Sequence, residues 1–216
     1  MQENLYSIKE ENYFSLVRQD IVKLIPEGTK RVLDVGCADG ATGEEIKRRF
    51  SAEVIGVELY EDAADIAKKR LDQVFCSDVE TFRPSFDTGY FDCIIFADVL
   101  EHTKNPWMVL ARYMEYLSPE GCVVASIPNI RYIVPVLKIL FNRFEYEPSG
   151  VLDQTHLRFF TYHTIKKLFS ICGLKIVRHE TNRNRGWKMN LLTYLSFGLL
   201  KDFSVFQHLV VAKKVQ

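Results

Sequence analysis

The chain has 216 residues, of which 47% are apolar and 26% charged, the profile of an ordinary soluble globular protein of one domain that buries a core without disulfide or metal staples. Its 28 basic residues balance 28 acidic ones, which excludes a chain devoted to gripping nucleic acid, a task that needs a basic surplus. Five scattered cysteines, Cys37, Cys76, Cys93, Cys122 and Cys172, form no CxxC pair, which excludes zinc ribbons and thioredoxin-type redox motifs and reads as reduced core cysteine.

The opening stretch MQENLYSIKEEN is polar and acidic, with no signal-like apolar region. No apolar run reaches the ~18–20 residues of a membrane span. The expectation is a cytoplasmic protein with no integral membrane segment.

Residues 13–25 place Phe14, Val17, Ile21, Leu24 and Ile25 at helical spacing, and Pro26-Glu27-Gly28 stops that helix. Short β-rich runs and helical runs then alternate. Strands are expected at Arg31–Val35, Glu53–Glu58, Val74–Ser77, Phe91–Ala97 and Cys122–Ile127. Helices are expected at Ala41–Phe50, Glu61–Leu71 and Pro106–Leu117, the last with proline in its first turn. Strands without polar alternation are buried on both faces, so the pattern predicts an α/β fold: a doubly wound, mostly parallel Rossmann-like sheet. The last third breaks the rhythm. Residues 130–144 are apolar and interrupted by Pro135, residues 145–160 read as an ordered loop, and Thr161–Cys172 is a helix stopped by Gly173. Leu174–His179 and His208–Lys213 read as late strands, and a second apolar patch, LLTYLSFGLL, lies between them. Both apolar patches are expected as caps outside the main sheet.

The first strand runs into VLDVGCADGATG. Glycine and alanine let such a loop turn sharply and approach a ligand at the carboxyl edge of the sheet. The glycines Gly36, Gly40 and Gly43 lack the GxGxxG spacing of dinucleotide folds, and no GKS or GKT follows, which excludes a P-loop. Asp34 and Asp39 would repel a pyrophosphate and attract a cation. S-adenosylmethionine (SAM), with a sulfonium, an ammonium and no phosphate, suits that loop. The second strand ends at Glu58, where an acid accepts ribose hydroxyls. The third ends in Ser77-Asp78-Val79 and the fourth in Ala97-Asp98-Val99-Leu100-Glu101-His102. Four consecutive strands thus deliver polar groups to one edge.

On these motifs the sequence resembles class I SAM-dependent methyltransferases, by motif over roughly residues 30–130 and by element order over the whole chain. VLDVGCADG is similar to the family's first motif, GVELYEDAADIAKKR to its second, CSDVE to its third, and FDCIIFADVLEH to its fourth, the last as in ubiquinone-type O-methyltransferases. The run SIPN…RFEYEPSGVLDQTHLRFFT is similar to methyltransferases of bacterial cell-surface polysaccharide gene clusters. The resemblance implies a seven-stranded sheet with a C-terminal antiparallel strand. It implies one domain over 1–216: a helical cap at 1–28, a cofactor core at 29–129, and substrate-cap insertions at 130–160 and 181–206. It implies SAM as cofactor and S-adenosylhomocysteine as product. Cofactor contacts would come from Asp34, Gly36, Cys37, Ala38, Gly40, Glu58, Leu59, Asp78, Val79, Ala97, Asp98, Val99 and Leu100.

For the acceptor side, His156 and His102 are the candidate bases, and Asn129, Tyr13, Arg18 and Arg158 the candidate substrate contacts. Arg158 has a structural alternative, pairing with Asp153 or Glu145, and Phe159 and Phe160 read as core. Arg183, Arg185, Lys188 and Trp187 form a basic cluster that either grips an anionic substrate or is a solvated loop. His163, His179 and His208 receive no role. No cluster in the sequence demands a metal, so metal-dependent transfer is disfavoured. The expected partner is a small-molecule acceptor, first a hydroxyl of a sugar or cell-surface glycan precursor. An isoprenoid-linked phenol or lipid under the apolar caps, or a non-catalytic binding module, are the alternatives. No nucleic acid is expected, and nothing indicates an oligomer.

Overall fold

The computed structural model describes residues 16–184, 186, 194 and 200–215. Seven strands form one sheet in the order β3-β2-β1-β4-β5-β7-β6. They are β1 (Arg31–Val35), β2 (Glu53–Glu58), β3 (Gln73–Cys76), β4 (Phe91–Ala97), β5 (Leu117–Pro128), β6 (Leu174–Arg183) and β7 (Val205–Lys214). The first five run parallel, and β7 is antiparallel to both β5 and β6. Among the described residues the helices are α1 (Gln19–Val22), α2 (Ala41–Phe50), α3 (Glu61–Ala67), α4 (Pro106–Tyr113), α5 (Ile133–Leu140) and α6 (Tyr162–Ile171).

Successive strand residues point to opposite faces, and both faces are covered. On β4, Ile94 and Phe96 enter one apolar cluster with Leu110, Tyr113 and Phe169, while Cys93 and Ile95 enter the other with Ile21, Ile46 and Phe50. Each such fully buried aliphatic side chain contributes ~1.5–3 kcal/mol. This is why β4 carries no polar alternation. The strand order reverses between β1 and β4, so their carboxyl ends part and leave a crevice, the place where open α/β sheets bind ligands.

Several elements differ from the expectation. Of the stretch 13–25 expected as one helix, residues 16–18 are non-helical and α1 is a single turn of helix continued by turns to Ile25. Arg18 precedes its first residue at φ −79° and ψ 75°, outside helical geometry, because its backbone N–H is held by Thr42 Oγ1 and its guanidinium by groups across the crevice. Pro135 does not interrupt the 130–144 segment; it sits in the first turn of α5, where its missing N–H leaves nothing unpaired. β6 runs on to Arg183 and pairs with β7, so 181–183 and 205–206 are sheet rather than cap. Arg185, Trp187, Lys188, most of the 191–200 patch, and Tyr13 lie outside the described residues.

Candidate active site

The loop after β1 is strapped to β2, with Gly36 N and Cys37 N donating to Val57 O at 2.8 and 3.1 Å. Gly36 has φ +74°, and a Cβ there would stand 2.6 Å from Val99 Cγ2, so glycine is required both for the turn and for the close approach. Ala38 also adopts a left-handed φ of +50°. Glu58 pins it: one carboxylate oxygen accepts from Ala38 N at 2.9 Å and the other from Leu59 N at 2.8 Å and Tyr60 N at 3.0 Å.

Asp34, at the end of β1, is 3% exposed. Burial and the neighbouring charge of Glu58 push its carboxyl up to about 7. Burial also raises Glu58, against the pull of its three N–H donors. Asp39 is different: Arg70 pairs with it at 2.7 Å, and it accepts from Ala41 N at 3.0 Å. Among the described residues no lysine or arginine pairs with Asp34 or Glu58. Two adjacent buried acids without a cation suit a ligand that brings positive charge or several hydroxyl donors.

These groups line a cavity of about 540 Å³, the size of a small-molecule site. Its opposite wall is Asp98, at φ +56°. Asp98 pairs with Arg18 and accepts from Gln207 Nε2 at 2.5 Å. Arg18 also donates to Asp20 at 3.0 and 3.1 Å and to Gln207 Oε1 at 3.2 Å, and Asn182 Nδ2 bridges Asp20 and Gln207, both at 2.8 Å. Burial disfavours the guanidinium charge, but Asp98 and Asp20 outweigh it and hold Arg18 protonated beyond its usual range.

Beyond Asp98 a short 3₁₀ turn, Leu100–His102, meets the 145–160 loop. Glu101 O accepts from Leu157 N at 2.8 Å and Arg158 N at 3.0 Å. His102 lines the cavity, with Nδ1 held by Thr155 O at 3.2 Å and Thr155 Oγ1 at 3.1 Å. His156, buried behind it, holds Val151 O through Nδ1 at 3.1 Å. The two rings meet edge to face, centroids 4.7 Å apart.

A family model described as "Methyltransferase domain" matches residues 10–179. The chain belongs to this methyltransferase family. It is 31% identical over 132 residues to a ubiquinone biosynthesis O-methyltransferase of Coxiella burnetii, covering 57% of this chain and 55% of that protein. A ubiquinone biosynthesis O-methyltransferase of Neisseria meningitidis is 24% identical over 175 residues, with 66% and 72% covered. The chain thus spans about half the length of the first of these relatives. A SAM-dependent methyltransferase from Archaeoglobus fulgidus superposes with a TM-score of 0.74 at 19% identity, over 97% of this chain and all of that one, a likeness of fold. SAM is the cofactor expected of the methyltransferase family, and the acid-lined, cation-poor crevice fits it.

The methyltransferase cavity gathers most of the residues expected from sequence. Asp34, Gly36, Cys37 and Ala38 line one wall, Glu58, Leu59, Asp78 and Val79 the next, and Ala97, Asp98 and Val99 the far one. Cys37 contributes backbone: burial and the flanking acids push its thiol up, and a Cβ on Gly56 would meet its sulfur at 2.5 Å. Asp78 already spends one oxygen on Glu80 N at 2.8 Å. Gly40 and Leu100 do not reach the cavity. Gly40, at φ +80°, begins α2, and Leu100 is fully buried core.

The acceptor-side assignments need more correction. His156 is in the wall behind His102, not on the cavity surface. Asn129 is 1% exposed; its Nδ2 donates to Val205 O at 2.9 Å and its Oδ1 accepts from Arg131 N at 3.1 Å, so it fastens the end of β5 and does not line the cavity. Arg158 is exposed and donates to the carbonyls of Leu157 and Lys104 rather than to Asp153 or Glu145. Phe160 is core at 4% exposure, but Phe159 is 36% exposed. Arg18 does line the cavity, its charge answered by Asp98 and Asp20. The sequence reading missed Gln207, Asn182, Thr103, Gln154 and Thr155. It also missed that Glu101, His102 and His156 converge.

Proposed function

We propose that this methyltransferase domain binds SAM in the crevice between β1 and β4 and transfers its methyl group to a hydroxyl oxygen of a small-molecule acceptor. The observation that carries the reading is the pair of buried carboxylates, Asp34 and Glu58, facing a cavity without a cation of their own. Glu58, already oriented by three N–H donors, keeps lone pairs for ribose hydroxyls. Asp78 stands at the next strand end, where adenine's amine would donate. When bound, the cofactor supplies a methyl group already activated on positive sulfur. The chain's own work is to align the acceptor within about 3–3.5 Å of that methyl and to exclude water.

His102 marks the acceptor side. Its Nδ1 faces a carbonyl, which only accepts, so in the neutral ring Nδ1 carries the proton and Nε2 the lone pair. A hydroxyl acceptor must lose its proton on attack, and an imidazole lone pair at the cavity wall serves that need.

Two acceptor classes remain. A sugar or cell-surface glycan precursor is the class expected from the late motif. An isoprenoid-linked phenol is favoured by the exposed apolar face of α5, where Val134, Leu137, Ile139 and Leu140 are 41–71% exposed, and by the names of the relatives. Among the described residues no helix is long and apolar enough to cross a membrane.

Calorimetric titration with SAM, S-adenosylhomocysteine and NAD tests the cofactor. Micromolar binding of the first two and none of NAD is expected, with Glu58→Ala weakening SAM at least tenfold. Tight NAD binding, or SAM binding indifferent to Glu58→Ala, would overturn it. A tritium-transfer screen of sugar nucleotides and polyprenyl phenols then separates the acceptors.

A further inference from the structure

Two positive charges on the acceptor side of the cavity have no counterpart in the chain. The cavity wall holds six acids, Asp34, Asp39, Glu58, Asp78, Glu80 and Asp98, and two cations, Arg18 and Lys104. Asp98 and Asp20 answer Arg18. Lys104 is exposed, and among the described residues its ammonium has neither a hydrogen bond nor an ion pair. The Glu80 carboxylate serves the next residue instead, accepting from Asn105 N at 3.0 Å.

Arg158 stands beside Lys104. Its backbone N–H donates to Glu101 O at 3.0 Å, which ties the 145–160 loop to the turn leading into Lys104. Its guanidinium donates to Lys104 O and to Leu157 O. Carbonyls hold a guanidinium in place without cancelling its charge, and they take two of its five N–H donors. No carboxylate pairs with Arg158 among the described residues. A fixed guanidinium next to a free ammonium is a pair of like charges. An oxyanion relieves their repulsion by accepting charge-assisted hydrogen bonds from both, and the planar fork of arginine fits carboxylate and phosphate oxygens in particular. Gln154 lines the same side of the cavity with an amide that has no side-chain partner among the described residues.

We infer that Lys104 and Arg158 form an anion subsite that holds a phosphate or carboxylate group of the methyl acceptor. Anion binding itself does not depend on the proposed reaction; calling the ligand the acceptor rests on the hydroxyl-acceptor reading. Lys104 is two residues from His102, so their Cα atoms are at most about 7.6 Å apart, and one small molecule reaches both. Its hydroxyl meets His102 and its anionic group meets the two cations. The subsite orients the acceptor and takes no part in the proton transfer. Of the two acceptor classes it selects a hydroxyl compound that carries an anion, such as a sugar nucleotide with its phosphates, over an uncharged isoprenoid-linked phenol.

The full chain is titrated with sodium pyrophosphate, phosphate and acetate at constant ionic strength, with and without S-adenosylhomocysteine, and followed in proton–nitrogen correlation spectra. Saturable shifts of the Arg158 Nε–H and the Lys104 backbone N–H are expected, at millimolar Kd or tighter. Phosphates binding more tightly than acetate point to a phosphorylated acceptor, and the reverse order to a carboxylate. Lys104→Gln and Arg158→Gln should each weaken the preferred anion at least fivefold, and Lys104→Arg should keep it within twofold. Lys175→Gln removes the same charge from an exposed site on β6 and should change nothing. Should Arg158→Gln fail to fold, Lys104→Gln decides, since its side chain holds no other group. For the acceptor found in the tritium screen, Lys104→Gln should raise KM at least fivefold with kcat within twofold. No saturable shift in the wild type, binding indifferent to Lys104→Gln, or an equal loss in Lys175→Gln would overturn the subsite. So would a tenfold loss of SAM affinity in Lys104→Gln with anion binding intact, which would give the cation to the cofactor's own carboxylate. Anion binding without SAM binding would sink the methyl-transfer reading and leave the subsite standing; SAM binding without anion binding would do the reverse.

Discussion

Arg18 and Asp98, 80 positions apart, form an ion pair across the crevice, with side-chain exposures of only 22% and 20%. Removing one member strands the other beside the ligand cavity. Arg18→Met should therefore lower stability by about 1–3 kcal/mol and weaken SAM binding three- to tenfold. Urea denaturation and calorimetry on the same preparation check both numbers. Unchanged stability would show that Asp98 is satisfied by Gln207 alone.

Asp34 sets a pH dependence. Its carboxyl sits at about 7 in the folded chain, raised by burial and by Glu58, against an ordinary value near 3.9 when unfolded. The folded state then holds more protons than the unfolded one between those values, so this contribution is complete below about pH 4 and is lost as pH rises through 7. Asp34→Asn should flatten that loss in a thermal-denaturation series. In the wild type, SAM binding at pH 6 should release a proton, read as a buffer-dependent binding enthalpy.

His208 acts in the opposite direction. Burial, then His179 with Nε2 3.0 Å from its Nδ1, lowers His208 to about 4. The unfolded chain, with histidine near 6.5, binds the extra proton, so stability falls as pH drops from about 6.5 through 4. His208→Gln should remove this acid limb and leave the Asp34 limb intact.

Gly36→Ala combines two faults, a φ of +74° and a Cβ 2.6 Å from Val99 Cγ2. A loss of about 1–4 kcal/mol is expected, with SAM affinity down at least tenfold. Val99→Ala in the same chain opens the space without relieving the backbone, so it should recover part of the loss. Full recovery would mean that the dihedral costs nothing.

The cofactor wall was legible because it is local. Asp34, Glu58, Asp78 and Asp98 each end or follow a strand whose apolar run announces itself, and parallel strands bring their ends to one edge. The acceptor wall was not. Gln207 reaches Asp98 from 109 positions away through the antiparallel pairing of β7 with β5. Glu101 and His156 meet only because the 145–160 loop is fastened to Glu101 O. No periodicity encodes such meetings. His156 was singled out for the right loop and the wrong surface: burial puts it behind His102. Asn129 was chosen as a polar residue at a strand end, where the amide turned out to serve backbone groups.

The interior position of β7, one strand in from the edge, constrains the order of assembly. β7 follows every other described strand in the chain, yet lies between β5 and β6. A nascent chain that has emerged only through β6 has nowhere to dock that strand, and β5 keeps an open edge that invites pairing with another copy. Gln207 belongs to the same late strand, so the surroundings of the Arg18–Asp98 pair are completed only with β7. The ligand crevice matures only after β7 has joined the sheet, and until then the emerging protein is sticky and ligand-incompetent, a stage that a ribosome-bound chaperone is suited to shield.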